Sequence, residues 1–134
     1  AVMAVMDELG VAGVQVSDGS GLSVDTRITS KALATLLVLA ADPERPELYP
    51  VLSGLPTAHS TGSLSARYAP ESDAASGAGL VRAKTGTLNG VSSLAGTIYT
   101  AQGRLLVFAF VANHPSATGA ALDRLAAAVA ECGC

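Results

Sequence analysis

Charged side chains are scarce in this sequence of 134 residues, and basic ones are the scarcer kind. Charged residues make up 14% of the chain, with eight Lys and Arg against eleven Asp and Glu, and the net charge is −3. Because the basic residues are scattered, the chain lacks the positive stripe that binds nucleic acid. Its 49% of hydrophobic residues exclude the low hydrophobicity of a disordered chain. These exclusions leave a folded domain, or part of one, as the class of protein.

Histidine and cysteine are nearly absent too. The chain has two of each, whereas a structural zinc site normally takes four ligands. We therefore expect no metal site and interpret His59 and His114 as surface residues. Cys132 and Cys134 form either an exposed tail or a tight disulfide across one glycine. A disulfide would favour an oxidising, extracytoplasmic compartment.

The first residues predict a helix that begins without a cap. Apolar residues recur at helical spacing over residues 2–9, and Gly10 is a suitable C-terminal stop. No Ser, Thr, Asp or Asn precedes the helix. Since a natural N-terminus seldom begins inside a helix, we expect residues 1–134 to be part of a longer protein.

A short strand and a second helix are predicted next. The strand covers residues 14–17 and ends at a turn of Asp, Gly and Ser. Thr29 or Ser30 caps the helix. Its expected buried face consists of Leu33, Leu36, Leu37 and Ala40. Residues 57–79 then form a long surface loop with one helical turn at residues 63–68, and long loops are often functional.

The final third predicts an antiparallel meander. Residues 80–88, 91–100 and 104–113 have the composition of strands, and the segments between them have turn chemistry. Ser116 is expected to cap a last helix that covers the sheet through Leu122, Leu125 and Val129. Helices followed by strands and a helix indicate the α+β class, with an antiparallel sheet flanked by helices.

The third of these strands predicts a further sheet neighbour. Residues 105–112 are apolar without alternation, which is typical of a strand covered on both faces. Such a strand belongs inside a sheet, because a long apolar edge invites aggregation. Residues 91–100 supply one neighbour. We expect the other to come from sequence that precedes Ala1.

Lys84 is the residue with the strongest functional signal. It lies in a predicted strand, where lysine is depleted, and Gly86 weakens strands unless a backbone or ligand approaches closely. The segment predicts one wall of a site for an extended anionic ligand. Lys84 supplies positive charge and Thr85 a hydroxyl for a carboxylate, Gly86 leaves room for a peptide, and the Thr87 N–H faces an oxyanion. Arg82 shares the face of Lys84 and either assists with anions or is simply exposed to solvent. An edge strand protected by lysine is the alternative.

Two motifs carry a resemblance to a known family. Residues 18–23 read Asp-Gly-Ser-Gly-Leu-Ser ahead of a helix, and residues 83–91 read Ala-Lys-Thr-Gly-Thr-Leu-Asn-Gly-Val. With Ser-Ser-Leu-Ala-Gly at residues 92–96, they resemble the D-alanyl-D-alanine carboxypeptidases of the low-molecular-mass class C penicillin-binding proteins, a serine-peptidase family. The resemblance covers nearly the whole chain. The high alanine content, the scarcity of lysine and the closing Cys-Gly-Cys look actinobacterial.

The elements that would carry the family's nucleophile are missing from these residues. The family uses Ser-x-x-Lys, but Ile28 precedes Lys31 and Val81 precedes Lys84 at that spacing. Neither asparagine completes the family's Ser-x-Asn element. Gly-x-Ser-x-Gly does not occur, which excludes the α/β-hydrolase elbow. We interpret the remaining polar candidates as turn and cap residues: Asp18, Ser20, Ser23 and Ser60.

The resemblance implies a fold, a reaction and roles for individual residues. Residues 1–134 would be the C-terminal portion of a penicillin-binding domain, and the portion with the nucleophile would lie outside them. The parent protein would be an extracytoplasmic serine-type carboxypeptidase that cleaves D-Ala-D-Ala in peptidoglycan stem peptides, without metal or organic cofactor, and is acylated by β-lactams. Lys84 and Thr87 are the candidate catalytic residues, and Thr85, Gly86 and Arg82 are the candidate substrate-binding residues. Two alternatives stay open: a β-lactamase-like fragment, or a catalytically dead peptidoglycan-binding module.

Overall fold

Three long antiparallel strands form the main sheet of the computed structural model, which describes residues 1–132. The helices and strands follow one another along the chain as α1 (Val2–Glu8), β1 (Val14–Gln15), β2 (Arg27–Ile28), α2 (Ser30–Ala40), α3 (Tyr49–Ser53), β3 (Val81–Leu88), β4 (Val91–Tyr99), β5 (Leu105–Asn113) and α4 (Gly119–Glu131). Short 3₁₀ helices lie at Pro46–Leu48, Gly62–Leu64 and Ala75–Gly77. The α+β class with an antiparallel sheet is confirmed. The disulfide considered above for Cys132 and Cys134 includes a residue, Cys134, that lies outside the described residues.

The meander predicted from the final third is confirmed. β3 pairs with β4 from Val81 opposite Ile98 to Leu88 opposite Val91, and β4 pairs with β5 along its whole length. Each strand ends within one residue of its predicted boundary. Gly90, in the turn between β3 and β4, has a φ of 72°, a conformation that glycine adopts without strain. The turn therefore fixes the register that positions the Lys84 segment.

One face of the sheet packs against α4 in the main core. Leu94, Ile98 and Phe108 from the strands meet Leu122 and small residues of α4 there. The helix residues in this cluster are Leu122, Ala126, Ala127 and Ala130. The alanines leave room for the helix to lie close to the sheet. Covering of the sheet by the last helix is thus confirmed.

Two details of that helix were predicted wrongly. Thr118, not Ser116, is the N-cap, because its hydroxyl accepts a hydrogen bond from the Ala121 N–H at 3.2 Å. Ser116 instead donates its N–H to His114 Nδ1 at 3.1 Å. The buried face is also rotated relative to the prediction, so that Leu125 is 51% exposed.

The helix α2 lies against β4 and β5, and its buried residues are not part of the α4 core cluster. It therefore packs on the opposite face of the sheet. Thr29 caps it as predicted, accepting a hydrogen bond from the Ala32 N–H at 3.1 Å. Its buried residues are Ala32, Leu37 and Ala40, while the expected Leu33 and Leu36 are only half-buried.

The N-terminal segment forms a small unit of its own. The helix α1 is confirmed, but none of its residues is buried. β1 is shorter than the strand predicted over residues 14–17, and it pairs with β2, a two-residue strand that the sequence did not indicate. Within residues 1–132, no helix is long and apolar enough to cross a membrane. No cluster of three or more His, Cys, Asp or Glu side chains suited to a metal ion occurs in the same part of the chain.

The two edges of the main sheet differ. β5 pairs only with β4, and no other strand of the described chain lies along its second edge. The second neighbour expected for β5 therefore remains a prediction, as does the assignment of residues 1–134 to the C-terminal portion of a larger domain. The outer edge of β3 is covered at one end only, by a single bridge between Thr57 and Arg82.

An open strand edge as the candidate functional site

The Lys84 segment lies in the second half of β3, and its side chains alternate between the two faces of the sheet. Val81 and Ala83 are completely buried in the α4 core. Because side chains alternate along a strand, Lys84 points to the opposite face, and Thr85 and Thr87 share the face of Ala83. Lys84 and Thr85 thus flank the strand edge from its two sides.

The outer edge of β3 is paired only as far as Ala83. The Ala58 N–H donates to the Val81 carbonyl, and the Ala83 N–H donates to the Pro56 carbonyl, both at 2.9 Å. Backbone groups alternate in direction along an antiparallel strand, so the N–H and C=O of Thr85 and Thr87 point to this same edge. No strand of the described residues pairs with β3 beyond Ala83. The edge offers a row of backbone donors and acceptors beside Lys84.

Polar side-chain groups surround this open edge. Lys84 is exposed, and its Nζ donates to the Thr85 carbonyl oxygen at 2.7 Å. On the other face, the Thr85 hydroxyl donates to the hydroxyl of Ser63 at 3.1 Å. An ammonium group, two hydroxyls and the backbone N–H of Thr87 therefore lie along one short stretch of strand. These are donors that suit a carboxylate or a developing oxyanion.

Packing within the sheet explains why residue 86 is a glycine. It lies opposite Ser93 in β4, and a Cβ added at Gly86 would overlap the Ser93 hydroxyl oxygen. That hydroxyl is within 3.5 Å of the Gly86 carbonyl oxygen. A close approach of another group to this glycine was expected, and in the described chain the group is Ser93. The role of Gly86 in accommodating a peptide stays a prediction.

Arg82 lies on the face of Lys84 and is half-buried rather than fully solvated. Its Nη2 donates to the carbonyl of Ser53 at 3.1 Å, at the end of α3, where a positive charge is favourable. Its Nε is buried and has no hydrogen-bond partner within residues 1–132. The guanidinium thus holds α3 against β3, and its contact with an anionic ligand stays a prediction.

The polar candidates of the N-terminal turn have structural duties. The Asp18 carboxylate accepts hydrogen bonds from the Ser20 hydroxyl at 2.9 Å and from the Gly21 N–H at 3.0 Å. The bond from Ser20 is the main cause of a lowered pKa of Asp18. Ser23 accepts from the Asp25 N–H at 3.2 Å. The interpretation of these residues as turn residues is confirmed, and His59 and His114 are exposed as expected.

An ion pair that the sequence did not indicate joins the central loop to α4. Arg67 donates to the carboxylate of Asp123 through Nε at 2.7 Å and through Nη2 at 2.5 Å, and Asp123 is only 5% exposed. Burial and the nearby Asp123 raise the pKa of Tyr68. An open cleft of about 410 Å³ lies beside this pair, away from Lys84. Because the two charges satisfy each other, we interpret the pair as structural.

Ser63 is the residue near the candidate site that sequence reasoning missed. It lies in the segment 57–79, which was predicted as a surface loop with one helical turn at residues 63–68. The structure instead has a 3₁₀ helix at Gly62–Leu64, and it buries Leu64 and Tyr68 in the core. Ser63 and Thr85 are 22 positions apart, and no local pattern indicates their contact. The only signal was the general one that a long loop in a compact domain is often functional.

Comparisons with known proteins converge on one family. The family model described as "D-Ala-D-Ala carboxypeptidase 3 (S13) family" matches residues 1–131. The chain is 41% identical over 140 residues to "Carboxypeptidase DacB" of Mycolicibacterium smegmatis, covering 100% of this chain and 30% of that protein. It is 39% identical over 127 residues to "Carboxypeptidase Rv3627c" of Mycobacterium tuberculosis, covering 94% of this chain and 28% of that protein. The chain thus spans about 30% of the length of these two relatives.

A solved structure shows the same fold. Penicillin binding protein 4 (dacB) from Haemophilus influenzae, in a crystal structure with a novel β-lactam, superposes with a TM-score of 0.74. The sequences are 25% identical, and the match covers 93% of this chain and 30% of that protein. The expected penicillin-binding protein fold is confirmed.

Proposed function

Since this chain belongs to the D-Ala-D-Ala carboxypeptidase 3 (S13) family, we propose that the protein containing it is a serine-type D-Ala-D-Ala carboxypeptidase of the cell envelope. Its substrates would be peptidoglycan stem peptides, and this chain would supply one wall of the active site. The observation that carries the proposal is the open edge of β3 from Lys84 to Thr87, with an ammonium group, a hydroxyl and a free backbone N–H along it.

The end of the stem peptide would bind as an added strand along this edge. The outward N–H and C=O groups of Thr85 and Thr87 offer the backbone hydrogen bonds that such β-addition uses. The Thr85 hydroxyl would donate to the terminal carboxylate, and the Thr87 N–H would face the carbonyl oxygen of the bond to be cleaved. A backbone donor that meets a developing oxyanion stabilises the transition state.

Peptide binding would also redirect Lys84. Its Nζ now donates to the Thr85 carbonyl, which is the acceptor that an added strand needs. When a peptide N–H takes this acceptor, the ammonium group is free to turn toward the negative charge of the ligand. Lys84 is exposed, so its side chain has access to solvent for this rotation.

The reaction would proceed through a serine supplied by residues outside this chain. The serine hydroxyl would attack the carbonyl of the penultimate D-Ala, its proton would pass to the leaving amine, and the terminal D-Ala would depart. Water would then hydrolyse the acyl-enzyme and restore the serine. A β-lactam would acylate the same serine, with its ring C–N bond opening in place of the peptide bond.

The full-length protein with Lys84→Ala tests this proposal. We expect release of D-Ala from a stem peptide and acylation by fluorescent penicillin to fall ~10²-fold, corresponding to about 3 kcal/mol of transition-state stabilisation. Lys31→Ala is the matched control, because Lys31 is the other lysine of the chain, is exposed in α2, and should leave both rates unchanged.

Three outcomes would contradict the proposal. A wild-type protein that binds stem peptides but neither releases D-Ala nor forms a penicillin adduct would be a binding module. Rapid turnover of penicillin would indicate a β-lactamase. Equal effects of Lys84→Ala and Lys31→Ala would remove Lys84 from the active site.

A further inference from the structure

Ser63 contacts the candidate site from outside the strand that carries it. Its hydroxyl oxygen lies 3.1 Å from the Thr85 hydroxyl oxygen, on the face of β3 opposite to Lys84. Both side chains stand at the edge where pairing with residues 56–58 has ended. Ser63 is therefore next to the position that an added strand would occupy.

The loop that carries Ser63 is fixed by several independent bonds. The Thr57 N–H donates to the Thr61 hydroxyl at 2.9 Å, and the His59 N–H donates to the Leu64 carbonyl at 3.0 Å. Leu64, the next residue after Ser63, is completely buried in the core. His59 has a φ of 55°, a left-handed conformation that costs free energy in a residue other than glycine. These contacts thus fix the backbone that carries Ser63, whose exposed side chain reaches the Thr85 hydroxyl.

We infer that Ser63 and Thr85 form a two-hydroxyl clamp for the free terminal carboxylate of the substrate. The inference rests on the proposed function and adds Ser63 to the site as a specificity-determining residue. In the free protein, one hydroxyl donates to the other. When a carboxylate binds, both O–H groups turn outward, and each donates to one carboxylate oxygen. Bonds to an ionised acceptor are shorter and stronger than the hydroxyl pair that they replace.

Two hydroxyls discriminate better than one between an acid and its amide. The ionised carboxylate presents two equivalent acceptor oxygens, whereas the amide of the same peptide presents one oxygen and an NH₂ group. The amide therefore gains one neutral bond where the acid gains two charge-assisted ones. Loss of the Ser63 hydroxyl should weaken binding of the peptide with the free carboxylate and leave binding of the amidated peptide nearly unaffected.

The test uses the full-length protein and a stem peptide in two forms, with a free and with an amidated C-terminus. For Ser63→Ala we expect KM for the acid to rise about tenfold, the size of one lost hydrogen bond to a charged group, with kcat nearly constant. KM for the amide should change less than twofold. Ser63→Thr keeps a hydroxyl and should restore most of the selectivity. Ser65→Ala is the matched control, because Ser65 is exposed in the same turn and makes no side-chain hydrogen bond within residues 1–132.

A purely structural bond between Ser63 and Thr85 would give a different pattern. Ser63→Ala would then lower the melting temperature and reduce kcat/KM for both peptides by the same factor, which would overturn the inference. So would an unchanged ratio of acid to amide KM.

Failure of the proposed function is separable from failure of this inference. If the wild type releases no D-Ala, the dissociation constants of the two peptides replace KM, measured by calorimetry on the same variants. An acid preference that Ser63→Ala removes would support the clamp while the proposed reaction fails. A wild type without that preference, or without binding, would overturn the clamp.

Discussion

Replacing Gly96 by alanine tests how closely β4 holds the strand that carries Lys84. Gly96 is buried and lies directly opposite Ala83. A Cβ added at Gly96 would lie 2.6 Å from the Ala83 Cα and 2.9 Å from the Ala83 Cβ, and it would overlap the Arg82 carbonyl oxygen. Because two of these three obstacles are backbone atoms, no side-chain rotation relieves the clash, and β3 itself must move.

The expected loss of stability follows from this geometry. Adding a methyl group to a packed interior typically costs about 1–3 kcal/mol, and we expect the upper half of this range here. β4 cannot shift away easily, because Gly96 is also paired with Phe108 of β5. The reduced entropy of the unfolded chain returns less than about 1 kcal/mol. The net expectation is that the free energy of unfolding falls by about 2 kcal/mol.

Urea denaturation of the full-length protein measures this loss, and the rate of acylation by fluorescent penicillin measures displacement of β3. Gly19→Ala is the matched control, since a Cβ at Gly19 meets no atom within 4 Å and its φ lies outside the left-handed region. The control should change the free energy of unfolding by less than about 1 kcal/mol and leave acylation unaffected. If the two variants behave alike in both assays, the close pairing of Gly96 with Ala83 is wrong.

Two further predictions concern what residues 1–134 lack. Fluorescent penicillin should not label this polypeptide alone, because no serine precedes either lysine at the family's spacing; a covalent band on it would contradict the assigned roles. In a crystal structure of the full-length protein, a strand from sequence preceding Ala1 should pair with the free edge of β5. Pairing along that edge by residues 14–17, or an edge still open, would contradict the prediction.

The strands were predictable because their signals are local. Lys84 and Gly86 are unusual strand residues, and the Asn89–Gly90 turn between two apolar runs predicts a hairpin without any tertiary information. The helix α4 shows the limit of such signals. Ser116 and Thr118 are both acceptable caps, and composition does not reveal that the Thr118 hydroxyl is the one that accepts a bond from the first turn of the helix.

Packing decided the features that the sequence did not indicate. β2 has two exposed residues, too few for an alternating pattern, and it is defined only by its pairing with β1. Leu125 has the spacing of a core residue, yet the interface with the sheet is formed by Leu122 and three alanines on the neighbouring face of α4. A prediction of the buried helix face from large apolar side chains does not identify small residues at a close helix–sheet contact.

The candidate site shows the same division between local and distant information. The Lys-Thr-Gly segment predicts an anion-binding strand, but what makes that strand accessible is the point at which its pairing ends. Residues 56–58 pair with β3 as far as Ala83, and the chain then turns through His59 into the 3₁₀ helix that carries Ser63. The same loop therefore closes the first half of the edge and brings a hydroxyl to the second half. A serine in a loop becomes part of a site only through this tertiary arrangement.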